Sequence, residues 1–160
     1  MNLDVIRTEA ATVMLDIEWS EWGTDKSLPA LDRFIAAGGD VNAIAPESGR
    51  NLLWLAAEQM DVPLIQRLGE LNADPNCQLA DQALTAVHNA VDIDIDSVWQ
   101  CKQPANVGEL VQLVTFEVTQ AMVAIGGSIH TADSGGKTPY HTACDYHPDL
   151  GAKLLALLAG

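Results

Sequence analysis

The sequence predicts an all-α protein built of repeated helical units, one of which carries an insertion. Two short phrases recurring in register, and the apolar runs between them, carry that expectation. Gly38-Gly39-Asp40-Val41-Asn42 returns as Asn72-Ala73-Asp74-Pro75-Asn76 and again as Gly126-Gly127-Ser128-Ile129-His130. The first two copies lie 34 residues apart (42 to 76). Each follows an apolar run suited to a helix, at Leu28 to Ala37, Val62 to Leu71 and Glu109 to Ile125. A fixed period of this size marks a repeat architecture.

The second phrase keeps the same phase. Asn51-Leu52-Leu53-Trp54-Leu55-Ala56-Ala57 is followed 34 residues later (51 to 85) by Thr85-Ala86-Val87-His88-Asn89-Ala90-Val91. Its fullest copy is Thr138-Pro139-Tyr140-His141-Thr142-Ala143-Cys144. Thr as N-cap with Pro at the first helical position starts a helix, because the cap side chain accepts from an otherwise unpaired N–H and Pro has none to leave unpaired. Glycine early in the first phrase suits a helix end passing into a left-handed turn. Ala56, Ala57, Ala90 and Ala143 let neighbouring helices approach closely.

These phrases resemble those of ankyrin-repeat proteins, whose unit opens on Thr-Pro-Leu-His-x-Ala and closes on Gly-Ala-Asp-Val-Asn. The resemblance covers residues 28 to 160 and implies an ankyrin-repeat α-solenoid of stacked helix-turn-helix units joined by hairpin loops, with a concave binding face. It divides the single domain into an N-terminal cap and first repeat (1–42), a second repeat (43–76), a third (77–130) and a C-terminal repeat and cap (131–160). It also implies that His88 and His141 hydrogen-bond near their units' opening turns. Trp54 and Leu52 depart from the pattern, and Trp54 is expected to fill core space.

Between the second and third closing phrases the interval grows to 54 residues (76 to 130), about 20 more than the one before. The surplus falls in about 92–108, expected as a loop, followed by an elongated outer helix from Glu109 to Ile125. At the start, Leu3, Ile6, Ala10, Val13, Ile17 and Trp22 recur at close to helical period. They predict a long cap helix, with Trp19 and Trp22 packing on Phe34. At the other end, Leu150, Leu154, Leu155, Leu157 and Leu158 leave the closing helix with few polar positions. It serves as a cap or meets another chain.

Charge limits the partners. Eight Lys and Arg against 22 Asp and Glu give a formal net charge of −14. Neutralising phosphates requires cations, so the balance disfavours nucleic acid and anionic membranes alike. A basic protein is the electrostatic complement, although the acid also serves simply to keep the fold soluble. Cys77, Cys101 and Cys144 are odd in number and widely spaced, which fits a reducing compartment rather than a disulfide framework. The charged start and the lack of a long apolar run make the expected location cytoplasmic.

Three patterns imitate chemistry. Ser134-Gly135-Gly136-Lys137-Thr138 ends like a phosphate loop, but the required earlier glycine is Thr131 and no strand precedes it. Asp92, Asp94 and Asp96 alternate as at the front of a calcium loop, yet its sixth and twelfth positions are Ser97 and Gln103; an acidic helix end running into the insertion explains them. His141, Cys144 and His147 are spaced for one helix face, but a closed zinc site wants a fourth ligand, and Pro148 ends the helix at His147. No nucleophile-and-base signature is present. The expectation is a protein without catalytic residues, metal or cofactor.

The ankyrin register implies which residues face the concave side. In the second repeat these are Glu47, Ser48, Arg50, Glu58 and Gln59. In the third they are Asp81, Gln82, Leu84, Asp92 and Ile93, and in the fourth Ser134, Lys137, Asp145 and Tyr146, with Trp99 of the insertion beside them. Five carboxylates, two cations and an aromatic anchor imply an acidic groove for a basic protein or a Lys/Arg-rich peptide. Small acidic ankyrin proteins resemble bacterial immunity proteins that neutralise toxins. A DNA mimic that inhibits a DNA-binding enzyme, or an assembly subunit of a larger complex, are the alternatives; the free chain is expected to be a monomer.

Overall fold

The computed structural model describes residues 27–45, 48–79 and 82–160. Among them are eight helices and no strand. They are α1 (Ser27–Ala36), α2 (Leu52–Glu58), α3 (Val62–Glu70), α4 (Ala86–Lys102), α5 (Val107–Leu113), α6 (Glu117–Ala124), α7 (Pro139–Tyr146) and α8 (Pro148–Ala159). An antiparallel bridge joins Leu79 to Leu84. The expected cap helix, with Trp19 and Trp22, lies outside the described residues.

The second phrase starts helices as its caps require. Asn51 Oδ1 accepts the Trp54 N–H at 2.9 Å. Thr85 and Thr138 each form a reciprocal box with the histidine three residues on. His88 and His141 accept the cap residue's N–H at Nδ1, both at 3.1 Å, so the implied role of these rings is met. The first phrase ends helices: Gly38, Asn72 and Gly126 all take left-handed backbone, with φ of 83°, 63° and 106°. Asn72 manages this conformation because its short polar side chain tolerates it.

Successive phrases are tied together by the asparagine that closes each one. Asn42 Nδ2 donates to the Asn72 carbonyl at 3.3 Å, and its Oδ1 accepts the Asp74 N–H at 2.7 Å. Asn76 repeats the pattern on Gly126 O, at 2.9 Å, and Ser128 N–H, at 2.8 Å. Both edges of one amide are therefore used to set each unit on the next.

Three helix pairs follow, α2 with α3, α4 with α6, and α7 with α8. Their first members touch in series, α2 on α4 and α4 on α7, while α1 meets α3 and α3 meets α6. One apolar core runs through them, including Leu31, Leu53, Leu64, Ile65, Val87, Ile95, Phe116, Met122, Leu150 and Leu154. Close approach is built in where α7 meets α8: a Cβ on Gly151 would sit 2.3 Å from Cys144 Sγ.

The stretched unit differs from expectation. Residues 92–102 are not a loop but the continuation of α4, which runs 17 residues against 7 in α2 and 8 in α7. Ile95 and Val98 explain this, since their spacing continues the buried face begun by Val87 and Val91. The single outer helix from Glu109 to Ile125 is instead two, α5 and α6, separated at residues 114–116. Phe116 takes φ of 53° and is fully buried, turning the chain so that α6 lies along α4. Asp92, Asp94 and Asp96 are consequently in mid-helix, and Asp94 is buried.

Pro148 does stop α7. His147 ends that helix, and its Nδ1 caps α8 by accepting the Asp149 N–H at 3.2 Å. Lys153 of α8 donates to the carbonyls of Val111 at 2.6 Å and Gln112 at 3.1 Å, docking the last helix on the end of α5. Leu155 and Leu157 remain exposed. All three cysteines are free thiols. Among the described residues no helix is long and apolar enough to cross a membrane.

Candidate functional site: a groove across three helix starts

The N-caps Asn51, Thr85 and Thr138 give α2, α4 and α7 a common origin. Counting from them, the residue before each cap is Arg50, Leu84 or Lys137, and the seventh after it is Glu58, Asp92 or Asp145. A carboxylate therefore recurs at one place in all three helices, and a cation in two of the three.

In the outer two units the cation and carboxylate close on each other. Arg50 Nη1 lies 3.2 Å from the Glu58 carboxylate, and Trp54 Nε1 donates to Glu58 Oε1 at 3.0 Å. Lys137 Nζ bridges Asp145 Oδ2, and that hydrogen bond raises the Lys137 ammonium above its usual pKa. In the middle unit Leu84 provides no charge. Among the described residues no cation lies within ion-pair distance of Asp92, whose Oδ1 instead accepts the Tyr146 hydroxyl at 2.6 Å. Burial first, then that bond and the charges of Asp92 and Asp96, push the Tyr146 phenol far up, so it stays a donor.

Two adjoining clefts occupy this surface. The first, of about 330 Å3, is lined by Ser48, Gly49, Arg50, Trp54, Leu79, Gln82 and Leu84. The second, of about 270 Å3, is lined by Trp54, Leu84, His88, Asn89, Asp92 and Thr142. Trp54 and Leu84 line both, so the clefts form one groove crossing α2, α4 and the start of α7. Trp54 was expected in the core; it is half-buried and forms the groove wall. Its neighbours on α2, Ala56 and Ala57, are the residues that join the core.

Polar contacts stitch α2, α4 and the loop before α7 together along the groove. Asn89 Nδ2 donates to the Trp54 carbonyl at 3.2 Å, linking α4 to α2. His88 Nε2 meets the Lys137 carbonyl at 3.0 Å, linking α4 to the loop before α7. Because Nδ1 accepts from Thr85, Nε2 must be the protonated nitrogen. Burial lowers the His88 pKa despite the pull of that carbonyl and of Asp133.

Of the residues implied by the ankyrin register, Ser48, Arg50, Gln82, Leu84 and Asp92 line the groove. Glu58, Lys137, Asp145 and Tyr146 flank it through the contacts above. Gln59 caps the end of α2, and Ile93 is half-buried on α4. Ser134 is exposed and donates its N–H to the Gln82 carbonyl at 2.9 Å. Trp99 is exposed seven residues beyond Asp92, on the same side of α4 by helical spacing. Glu47 and Asp81 lie outside the described residues. Trp54, His88, Asn89 and Thr142 were not among the implied set; counting their places from the three caps would have found them.

The surface is more mixed than an acidic groove: an indole and two leucines with two internally paired cations and one carboxylate free of a cation. Among the described residues no three His, Cys, Asp or Glu side chains converge as metal ligands. His141, Cys144 and His147 share α7 and its cap, where Cys144 packs against Gly151. No protein-family model and no curated protein matches this chain.

Proposed function

We propose that the chain is a non-catalytic, ankyrin-type scaffold that binds a basic protein through the groove across α2, α4 and α7. The observation that carries the proposal is the equivalence of Arg50/Glu58, Leu84/Asp92 and Lys137/Asp145 along one groove. Three successive units present the same side-chain places to the same side, which is how a solenoid builds an extended recognition surface. The Asn42 and Asn76 bridges and the Asn89 and His88 links support repeat stacking, since each joins one unit to the corresponding part of the next.

A net charge of −14 favours encounter with a basic surface. Trp54 and Leu84 supply the apolar centre that interface energetics require. An immunity-like role, covering a basic toxin or effector from within the cytoplasm, is the specific form we favour, with the free chain a monomer. A DNA mimic has less support. Its carboxylates should stand unpaired in a row, whereas Glu58 and Asp145 are tied to Arg50 and Lys137.

A photo-crosslinking residue placed at Gln82 or Leu84, and separately at Gln66 of α3 or Gln120 of α6, tests the proposal in cells of the source organism. Crosslinks to one basic protein from the groove positions, abolished by Glu58→Lys and Asp92→Lys, are expected. Crosslinks from the α3 and α6 positions alone would place the interface elsewhere and overturn it.

A further inference from the structure

We propose that the middle of the groove is a pocket for a single cationic side chain, Arg or Lys, supplied by the bound protein in place of the cation this unit lacks. The inference rests on the protein-binding proposal above and specifies what its groove recognises at one point.

Three independent observations lead there. The first is the broken pattern. Arg50 and Lys137 precede their N-caps and reach the carboxylates eight residues on, Glu58 and Asp145. Leu84 holds the equivalent place before Thr85 and cannot do the same for Asp92. The second is the state of Asp92. Its Oδ1 accepts the Tyr146 hydroxyl, while Oδ2 has no hydrogen-bond partner among the described residues. The tyrosine fixes the carboxylate without neutralising it, because a neutral donor leaves the charge in place.

The third observation is the space itself. The cleft beside Asp92 has a volume of about 270 Å3, and Trp54, Leu84, His88, Asn89 and Thr142 complete its lining. An indole face attracts a cation electrostatically, and Leu84 offers apolar surface for the methylene stem of a long side chain. His88 adds no competing positive charge, since its two nitrogens are committed to Thr85 and to the Lys137 carbonyl and burial keeps the ring neutral. The charged groups nearby are therefore Asp92, Asp96 on the same helix and Asp133 beside His88, with Arg50 and Lys137 held by their own carboxylates.

Leu84 thus has a selective consequence. A lysine or arginine there would complete the row and close the site from within. Leucine leaves one carboxylate for an incoming residue and lines its path with hydrocarbon.

The test uses the full chain labelled with nitrogen-15 and the blocked tripeptide Gly-Arg-Gly at millimolar concentration. Its isosteric neutral counterpart, with citrulline for arginine, is the control. The indole N–H signal of Trp54, assigned through Trp54→Phe, is followed on titration. Saturable movement with the arginine peptide, at least tenfold weaker with citrulline and in Asp92→Asn, is expected. Leu84→Arg should abolish the response while keeping the helical signal and melting of the wild type. Equal responses to the charged and the neutral member in both the arginine and the lysine pairs, or an unchanged response in Asp92→Asn, would overturn the pocket. The lysine peptide and its acetylated form are run in parallel; a lysine-only response supports the pocket and restricts it to ammonium. Crosslinking to a protein at Leu84 without peptide discrimination would defeat this inference alone. Peptide discrimination without any protein crosslink at the groove would defeat the scaffold proposal and leave the pocket.

Discussion

Asp94, in the middle of α4, caps a different helix through Thr119. Its Oδ2 accepts both the Thr119 N–H at 2.8 Å and the Thr119 hydroxyl at 2.7 Å, and Oδ1 accepts the Val118 N–H at 3.1 Å. The residue at the N-cap of α6, Phe116, has no side-chain oxygen and makes no side-chain cap. A carboxylate from 25 residues away does that work and sits where the helix dipole favours negative charge. Burial pushes its pKa up, and the three donors pull the other way without fully offsetting it.

Asp94→Asn is accordingly a damaging substitution despite its similar shape. An amide has one acceptor, so its NH2 would face either the Val118 N–H or the Thr119 donors. Leaving a buried donor unpaired costs about 1–3 kcal/mol. The expected result in urea unfolding is a loss of that size, with Asp94→Ala at least as large. A loss below a few tenths would show that water replaces the carboxylate.

The amide of Asn76 joins two units through both of its edges. Asn76→Ala removes one donor and one acceptor at a partly exposed place, with an expected cost of about 1–2 kcal/mol. Asn76→Asp should fall between, since it keeps the oxygen toward Ser128 N–H but loses the donor to Gly126 O. Denaturant midpoints of the three proteins check the order.

His88 should make stability fall in mild acid. Its folded pKa lies below the ordinary value, so the unfolded chain takes up a proton before the folded one does. The contribution is complete above about pH 6.5, the usual histidine range, and is lost as pH drops below it. Thermal melts between pH 7.5 and 5.5 should show Tm declining for the wild type and a shallower decline for His88→Gln. Equal slopes would mean that the ring is not protected from protonation.

The contact of α7 with α8 depends on the missing side chain of Gly151. An added Cβ would lie 2.3 Å from Cys144 Sγ and 3.1 Å from Tyr140 Cε2. Gly151→Ala should therefore destabilise by about 1–3 kcal/mol through overpacking, despite alanine's better helix propensity. Adding Cys144→Ala should return much of the loss. If the double variant is no more stable than Gly151→Ala, the two positions are not in conflict.

The amino-acid sequence specifies where α2, α4 and α7 begin and where α1, α3 and α6 end. Thr85-Ala86-Val87-His88 and Thr138-Pro139-Tyr140-His141 carry both halves of their capping boxes, and Gly38 and Gly126 carry the freedom that their left-handed φ requires. Such features are local, so spacing alone exposes them. It also determined much of the groove, because Ser48, Arg50, Gln82, Leu84 and Asp92 hold fixed places relative to the caps. Packing between helices settles the rest. Whether residues 92–102 continue α4 depended on Ile95 and Val98 finding the core, and the break at Phe116 depended on a carboxylate from another helix. Trp54 has the composition of a core residue and the position of a groove wall. Its indole N–H goes to Glu58 one turn on, a local pairing, whereas the entry of Ala56 and Ala57 into the core in its place depends on α2 meeting α3 and α4.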